Sequence, residues 1–321
     1  MKLATINRGA NGARVAVVTA DNELLDLVAL RTTLLAANGV PEDMRSLLAA
    51  GDKGLAAVQT CLDHVLDLPA DEQLKLRNSG VLQAWDDASF LSPVTDPTII
   101  LSIGMNYRAH LEEMEGTPVP PRPTGFTMTH PALTGHRGNI IAPLQCPDMI
   151  DYEGEMTFVF GKSCHNVSED DAMDYVAGYT IANDISARDW VGPIFTVSKP
   201  FEMVAAWDHN ILGKQLPTFC PCGPVIVTKD EIPDPHNLQL VVTLNGEVMQ
   251  SSSTDDLIFN LPQIISHYSK FYRFSPGDIV TTGSPPGVGV GRKPPVFMKP
   301  GDVVEVEVEG IGKLTNTIVA A

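Results

Sequence analysis

Three acidic side chains alternate within the segment DYEGEMTFVF, residues 151–160. In a strand, residues two apart lie on one face about 6.6 Å apart, so Asp151, Glu153 and Glu155 would share a face opposite a mostly apolar one. One interpretation is the solvated outer face of an edge strand. The other is a cation site, because carboxylates crowded together away from water must be protonated, paired or bound to metal. Carboxylate oxygens without His or Cys nearby favour Mg²⁺, Mn²⁺ or Ca²⁺ over zinc.

A further carboxylate, Asp184, ends the apolar run of AGYTIANDISARDW. Acidic residues at the ends of buried strands are more often caps than metal ligands. Two glutamates and an aspartate from separate strands would nevertheless supply half of an octahedral site. Water and a chelating substrate would fill the other positions, which is how proteins usually hold Mg²⁺.

The segment IGMNYRAHLEEM, residues 103–114, places His110 and Glu113 three residues apart. On a helix these side chains are neighbours. A carboxylate beside an imidazole orients it and raises its basicity, as a water-activating general base requires. The alternative is an ion pair on the surface of a short helix. The proline-rich GTPVPPRP that follows is typical of a long irregular loop, and such loops are often lids.

The glycine-rich segment TTGSPPGVGVGRKPP does not fit a phosphate-binding loop. It lacks the Gly-Lys-Ser/Thr ending and the G-x-G-x-x-G spacing, and no helical pattern follows it. A tight loop that brings backbone N–H groups towards a ligand remains open, with the hydroxyl of Ser284 beside them.

The pattern of elements changes near residue 92. Residues 1–30 read as short strands, and residues 42–65 and 71–85 have helical spacing, whereas SFLSPVTDP (89–97) reads as a linker. From residue 98 onward, strands and turns dominate, with an Asn-Gly turn in LQLVVTLNGEVMQ and Pro-Gly turns in SPGDIVTTG and KPGDVVEVEVEG. We therefore predict an α+β chain that is mostly β, with a small domain over 1–92 and a larger one over 93–321.

Composition limits the partners. The 22 basic and 39 acidic side chains among 321 residues argue against nucleic acid or an anionic membrane surface as the main partner. No apolar run approaches the roughly 20 residues that span a bilayer. The N-terminus lacks the apolar region of a signal peptide, so a cytoplasmic location is expected. The five scattered cysteines are expected to be reduced and buried.

Seven motifs occur in an order that resembles the fumarylacetoacetate hydrolase superfamily: GMNYRAHLEEM, DYEGE, AGYTIANDISARDW, GKQLPTFCPCGP, VTLNGEVMQSSSTDDLIF, PGDIVTTGSPPGVG and PGDVVEVEVEGIGKL. The similarity covers about residues 98–321 and is closest to the branch of domain-containing proteins and bacterial acylpyruvate hydrolases. It implies mixed β-sheets rolled into a β-barrel-like core, a homodimer, and Mg²⁺ or Mn²⁺ in a central cavity, with Ca²⁺ as a substitute.

The resemblance also implies roles for individual residues. Glu153, Glu155 and Asp184 would be the metal ligands, and His110 with Glu113 the catalytic pair on a mobile helix. Lys214 would stabilise negative charge on the substrate, beside substrate contacts from Gly283 and Ser284. Asp151 receives no ligand role and is expected to hydrogen-bond to a neighbour, while Arg188 and Asp189 are expected to form an internal ion pair.

Three departures from the family pattern make the pocket more apolar. Val191 stands where many relatives have glutamine, and Met128 where they have lysine. The stretch VGPIFTVSKPFEMVAAWDHN is also longer than the minimal family pattern. Separately, Ile103 occupies the position at which full-length fumarylacetoacetases present a fourth carboxylate ligand, which makes that enzyme a poorer match.

The resemblance predicts a metal-dependent hydrolase that cleaves a C–C bond in a β-diketo acid of the acylpyruvate or fumarylpyruvate type, as in aromatic catabolism. His110, oriented by Glu113, would activate the attacking water. One alternative keeps the site but changes the reaction to oxaloacetate decarboxylation or keto–enol tautomerisation, which need no attacking water. Another is a metal-dependent binding protein without turnover, which the presence of His110 and Glu113 argues against.

Overall fold

A computed structural model describes residues 1–32, 35–114, 117–190 and 197–321. Within these residues there are eighteen strands: β1 Lys2–Asn7, β2 Ala13–Val18, β3 Glu23–Asp26, β4 Leu82–Ala84, β5 Ile100–Gly104, β6 Thr124–Met128, β7 Leu133–Thr134, β8 Asn139–Ala142, β9 Ile150–Asp151, β10 Gly154–Phe160, β11 Val176–Asn183, β12 Ser186–Ala187, β13 Cys220–Thr228, β14 Gln239–Leu244, β15 Glu247–Ser253, β16 Ile279–Thr281, β17 Val303–Val308 and β18 Gly312–Ala320. The α-helices in the same residues are α1 Leu27–Leu30, α2 Met44–Ala49, α3 Gly51–Leu66, α4 Ala70–Asn78, α5 Arg108–Glu113, α6 Pro200–Leu212 and α7 Leu261–Ser269.

Two mixed sheets form the body of the protein. The larger runs β4-β3-β2-β1-β13-β11-β10-β16-β5-β6, with β7 paired to β13, and the second runs β15-β14-β17-β18-β8. They pack closely where Gly154 on β10 meets Val242 and Val306, since a side chain at Gly154 would collide with both valines. The predicted class, mostly β with mixed sheets, is confirmed, although the sheets of the described residues are open rather than closed into a barrel.

The N-terminal segment joins the larger sheet directly. β1 pairs antiparallel with β13, with Lys2 opposite Val227 and Leu3 opposite Ile226. The predicted linker lies along β1, because Leu91 donates its N–H to the carbonyl of Thr5 at 2.9 Å. The division at residue 92 therefore stays a prediction, and the two segments share one sheet.

The helical spacing predicted over 71–85 ends earlier in the structure. α4 stops at Asn78, and Gly80 has a φ of +75°, which turns the chain into the short strand β4. Over 42–65 the single helical pattern divides into α2 and α3 at Gly51, whose φ is +54°. A left-handed residue costs little only at glycine, so these positions break the helices.

The predicted turns form as expected. Asn245 and Gly246 join β14 to β15 with φ values of +52° and +84°, which are typical of a type I′ hairpin. Gly277 and Gly301, in the two Pro-Gly turns, have φ values of +86° and +98° and precede β16 and β17.

Two findings concern the wider sequence predictions. All five cysteine thiols are free and buried, as expected. The helices of the described residues are each too short or too polar to cross a membrane. Val191, at the family's glutamine position, lies outside the described residues.

Candidate active site

Antiparallel pairing brings three carboxylates together. Gly154 at the start of β10 lies opposite Asn183 at the end of β11, so Glu153 and Glu155 meet Asp184 at one end of the strand pair. One oxygen from each of these three side chains lies within 4.8 Å of the other two. Glu155 is 1% exposed and Asp184 3%, so the cluster is buried.

The expected solvated edge strand is wrong, and so is the single strand through Asp151, Glu153 and Glu155. β10 is an interior strand between β11 and β16. The chain leaves the ladder at Tyr152 and Glu153, where the N–H of Glu153 donates to Oδ1 of Asn183 at 2.8 Å. The hydrogen bond from Glu153 to the Asn183 side chain takes the place of a ladder bond and turns Glu153 towards Asp184. Asp151 lies on the separate strand β9, opposite Ser186.

Asp151 is not one of the three clustered carboxylates and is fully buried. It accepts hydrogen bonds from backbone N–H groups, as expected, and forms an ion pair with Arg188 at 2.9 Å. Arg188 also pairs with Glu153. The expected Arg188–Asp189 pair is wrong, because the Asp189 carboxylate instead accepts from the N–H of Asp148.

Lys214 lies against two of the three clustered carboxylates. Its Nζ is 2.8 Å from Oε2 of Glu153 and 2.9 Å from Oδ2 of Asp184. The same Asp184 oxygen accepts from the Ser102 hydroxyl at 3.0 Å. The other oxygen, Oδ1, is buried and has no hydrogen-bond partner among the described residues. A buried acceptor of this kind is costly unless something binds it.

The pKa values of the cluster move in opposite directions. Burial and the neighbouring Asp184 raise the pKa of Glu155 well above its ordinary value. Burial and Glu153 also raise the pKa of Asp184, against the effect of Lys214. Burial acts in the same sense on Glu153, but Lys214 and Arg188 outweigh it and lower that pKa to about 2. Ionising Glu155 and Asp184 together is therefore unfavourable in this cluster unless a further cation is bound.

A divalent cation fits these residues. Among the described residues, Lys214 and Arg188 are the cations that form ion pairs with the carboxylates of Asp151, Glu153 and Asp184, and Glu155 adds a fourth carboxylate. The excess of two formal negative charges matches one divalent ion. The donor set is all oxygen, which suits Mg²⁺ or Mn²⁺, and Oδ1 of Asp184 is an acceptor in need of a partner. Glu153, Glu155 and Asp184 would hold the ion.

The predicted catalytic pair forms on α5. His110 Nδ1 lies 3.2 Å from Oε2 of Glu113, and both residues line the same cavity as the carboxylates. His110 is close enough to Glu153 to help lower its pKa. Because Nδ1 is engaged by Glu113, Nε2 is the ring nitrogen left for proton transfer.

Backbone N–H groups of the glycine-rich loop after β16 donate hydrogen bonds to acidic side chains of the site. Gly283 donates to Oε2 of Glu155 at 2.8 Å, and Gly287 donates to both oxygens of Glu113 at 3.3 and 3.2 Å. The Ser284 hydroxyl accepts from Gln250 and lines the cavity. Substrate contacts by Gly283 and Ser284 stay predictions, and the Gly283 N–H is already engaged.

The cavity has a volume of about 240 Å³, and its wall contains Ile103, which the sequence singled out, together with Phe126, Trp207 and Asn210, which it did not. Ile103, at the position of the family's extra carboxylate, forms part of its wall, and so does Phe126, whose ring centroid is 5.9 Å from Lys214 Nζ. Trp207 and Asn210 enter from α6. Their i, i+3 spacing on one helix face was the only available signal, and it does not distinguish a cavity wall from an ordinary buried face.

The fold and site define a class of enzyme that acts on small-molecule substrates, and comparison with known proteins gives the family. The fumarylacetoacetate (FAA) hydrolase C-terminal family matches residues 99–319. The chain therefore belongs to this family, as the sequence motifs predicted.

Two relatives at the sequence level are named for the same activity. An oxaloacetate tautomerase of Xenopus laevis, described as mitochondrial, is 40% identical over 280 residues, which cover 87% of this chain and 79% of the relative. A Bos taurus protein of the same description is 40% identical over 297 residues, 92% of this chain and 84% of its own length.

Solved structures with the same fold are more varied in activity. Maleylpyruvate hydrolase from Sphingobium sp. SYK-6, in complex with manganese(II) and pyruvate, has a TM-score of 0.74 and 25% identity over the whole of both chains. A 5-carboxymethyl-2-hydroxymuconate delta-isomerase from Mycobacterium smegmatis has a TM-score of 0.69 and 27% identity, covering 100% of this chain and 99% of the other. The family thus includes a protein that binds a divalent metal and members that are hydrolases and isomerases.

Proposed function

We propose that this protein interconverts the keto and enol forms of oxaloacetate with the help of Mg²⁺ or Mn²⁺. The observation that carries the proposal is one small cavity that holds an oxygen-only carboxylate cluster, a buried lysine and a paired histidine. The two relatives at 40% identity, both described as oxaloacetate tautomerases, supply the substrate. This was the alternative that the sequence left open, and it now has better support than C–C hydrolysis.

The residues of the cavity have separate tasks in this reaction. When bound, the cation draws electron density from the α-keto acid and so acidifies the C3 protons. Nε2 of His110 would take one C3 proton, the C–H electron pair would become the C2–C3 double bond, and the C2–O π pair would move onto the oxygen. The His110 imidazolium would then return the proton to that oxygen, which restores the neutral base. Glu113 holds the imidazole through Nδ1. Burial would lower the pKa of Lys214, but Asp184 and Glu153 raise it, so the ammonium group persists to stabilise developing negative charge.

Hydrolysis of a β-diketo acid is the second candidate. It uses the same cavity, with His110 deprotonating a water instead of carbon, and the fold shared with maleylpyruvate hydrolase supports it. Decarboxylation would also begin from the chelated keto acid, but its product is pyruvate.

One substrate panel separates these reactions. Enol absorbance would be followed for oxaloacetate and several 2,4-diketo acids, with and without Mn²⁺, while pyruvate is measured in parallel. We expect Mn²⁺-dependent loss of the oxaloacetate enol signal without pyruvate formation, above the rate with Mn²⁺ alone. Consumption of a diketo acid with no acceleration for oxaloacetate would support the hydrolase instead. Binding of either acid without any turnover would indicate a binding protein.

A variant of the proposed base tests the role of His110. Because a positioned general base contributes about 10²–10⁴-fold, His110→Ala should lower kcat by this range while Mn²⁺ affinity, measured by calorimetry, is unchanged. Glu112→Ala on the same helix is the matched control, since Glu112 is exposed and does not line the cavity. Normal turnover by His110→Ala would show that another group moves the proton.

A further inference from the structure

We infer that Asp151 is a positioning residue that links the proposed metal ligand Glu153 to the proton-transferring pair on α5. The inference rests on the proposed function for the roles of Glu153, His110 and Glu113. It explains why a third acid stands two residues before Glu153 although it takes no part in the carboxylate cluster.

Asp151 is held by four donors in a fully buried position. Its Oδ1 accepts from the N–H groups of Tyr152 at 2.9 Å and Gly289 at 2.6 Å. Its Oδ2 accepts from Val290 N–H at 3.1 Å and from Arg188 Nε at 2.9 Å. Each oxygen therefore has two donors, which is more than a neutral side chain of this size can accept. The ionised carboxylate is the species that fits.

One of its connections runs through Arg188 to the cluster. The guanidinium donates through Nε to Asp151 and through Nη2 to Glu153, so one rigid planar group spans both carboxylates. A guanidinium fixed by Asp151 restrains Glu153 without surrounding it, which leaves Oε2 of Glu153 to Lys214 and the proposed ion. Without Asp151, Arg188 would be free to bind Glu153 with both nitrogens and draw it away from the ion.

The other connection runs through the glycine-rich loop to α5. Gly289 and Val290 are anchored on Asp151, and Gly287, two residues earlier, donates to Glu113. Gly291 lies so close to Glu113 that a Cβ there would be 3.1 Å from the Glu113 carboxyl carbon. Fixing the loop on Asp151 therefore fixes the position of Glu113, and through it the ring of His110.

The variant Asp151→Asn tests the connection to Glu153 and the connection to Glu113 with separate measurements. Its Nδ2 would meet Arg188 Nε and the Val290 N–H as a donor facing donors, while the volume is unchanged. We expect Mn²⁺ affinity, measured by calorimetry without substrate, to fall about 10–100-fold, the usual effect of losing a residue that orients a metal ligand. We also expect kcat at saturating Mn²⁺ to fall about tenfold or more, through the loop and Glu113.

The kcat of Asp151→Asn at saturating Mn²⁺ distinguishes a positioning role from simple loss of charge. Removing an anion would weaken Mn²⁺ binding in any case, but it would leave kcat normal once the metal site is saturated. Asp148→Asn, at a nearby exposed acid, is the control and should change neither value. Normal kcat for Asp151→Asn at saturating Mn²⁺ would overturn the connection to Glu113.

The variant Arg188→Lys tests the connection to Glu153 if Asp151→Asn does not fold. Lysine lacks the planar fork that reaches Asp151 and Glu153 through separate nitrogens, so it would no longer hold Glu153 in a fixed orientation. Mn²⁺ affinity should again fall about tenfold while the loop stays anchored on Asp151. Affinity within twofold of wild type in this variant would overturn the connection to Glu153. Because Mn²⁺ binding is measured without substrate, a failure of the wild type to tautomerise oxaloacetate would refute the proposed function separately. The kcat comparison would then use whichever acid of the panel is turned over.

Discussion

Lys214 lies between two carboxylates that the proposed cation would also bind. Its ammonium group is within 2.9 Å of both Glu153 and Asp184, so it neutralises them while it repels a metal ion. The same group is placed to stabilise negative charge on an enolate in the cavity. Under the proposed function, this one residue would have opposite effects on metal affinity and on turnover.

Lys214→Met should lower kcat and strengthen metal binding. Loss of a group that stabilises developing charge typically costs about 10²–10³ in kcat. Removal of a buried cation beside the ion should raise Mn²⁺ affinity by about tenfold or more. Stopped-flow kinetics and calorimetry measure the two effects, with Lys313→Met, at a half-exposed ion pair, as the control. A joint fall in kcat and Mn²⁺ affinity would mean that Lys214 chiefly holds the cluster together.

Helix α6 is the element that closes the cavity from outside. Trp207 and Asn210 line the cavity, whereas other apolar side chains of the helix face solvent, with Phe201 91% exposed. Trp207 itself is 40% exposed, so its indole covers the cavity without being buried in the core. The helix is thus positioned to limit the size of the acid that enters.

Trp207→Ala should raise KM for oxaloacetate by about three- to tenfold, because roughly half of an indole's apolar contact would be lost. It should also admit bulkier 2-keto acids, which steady-state kinetics on an acid series would reveal. Phe201→Ala, on the same helix but away from the cavity, should leave KM unchanged. An unchanged acid preference in Trp207→Ala would assign size selection to another wall.

At the scale of the whole molecule, the site depends on residues far apart in sequence that the two sheets bring together. His136 lies at the junction between the N-terminal segment and the second sheet. Its Nδ1 accepts from the N–H of Thr315, and its ring packs against Trp85 and Phe90. Burial, with Arg137 adding to it, lowers the pKa of His136 to about 4.

This lowered pKa predicts loss of stability in acid. The unfolded chain takes up a proton near the ordinary pKa of about 6.5, so His136 contributes its full stability above that pH and loses it progressively towards pH 4. His136→Gln should be less stable at pH 7, but its free energy of unfolding should fall by about 2–3 kcal/mol less between pH 7 and 4. Urea titrations across this range measure the difference. Parallel curves for both proteins would assign the acid sensitivity elsewhere.

Metal binding should also stabilise the whole fold. A ligand that binds only the folded state at a hundredfold excess over its Kd adds about 2.7 kcal/mol. Mn²⁺ should therefore raise Tm, EDTA should reverse the rise, and Glu155→Gln should abolish it. If EDTA changes neither Tm nor activity, the cation assignment fails. Homodimer formation and a cytoplasmic location stay proposals, which light scattering and cell fractionation would address.

The sequence by itself determined the class of fold and the family, and it named candidate residues for the site. Seven ordered motifs predicted the family, and the residue types at Glu153, Glu155, Asp184, His110 and Glu113 predicted the chemistry. The family and the fold class are confirmed because the motifs carry local information: an i, i+3 pair on a helix and a Pro-Gly turn need no distant partner to be read.

The tertiary structure alone decided which partners these residues meet. The pairing of β10 with β11 placed Glu153 beside Asp184, and the break at Tyr152 separated Asp151 from them. Arg188 met Asp151 rather than its neighbour Asp189. Spacing along a strand gives a face only while the strand continues, and a charged side chain pairs with whatever the fold brings near it. No pattern in DYEGE or in SARDW encodes either outcome.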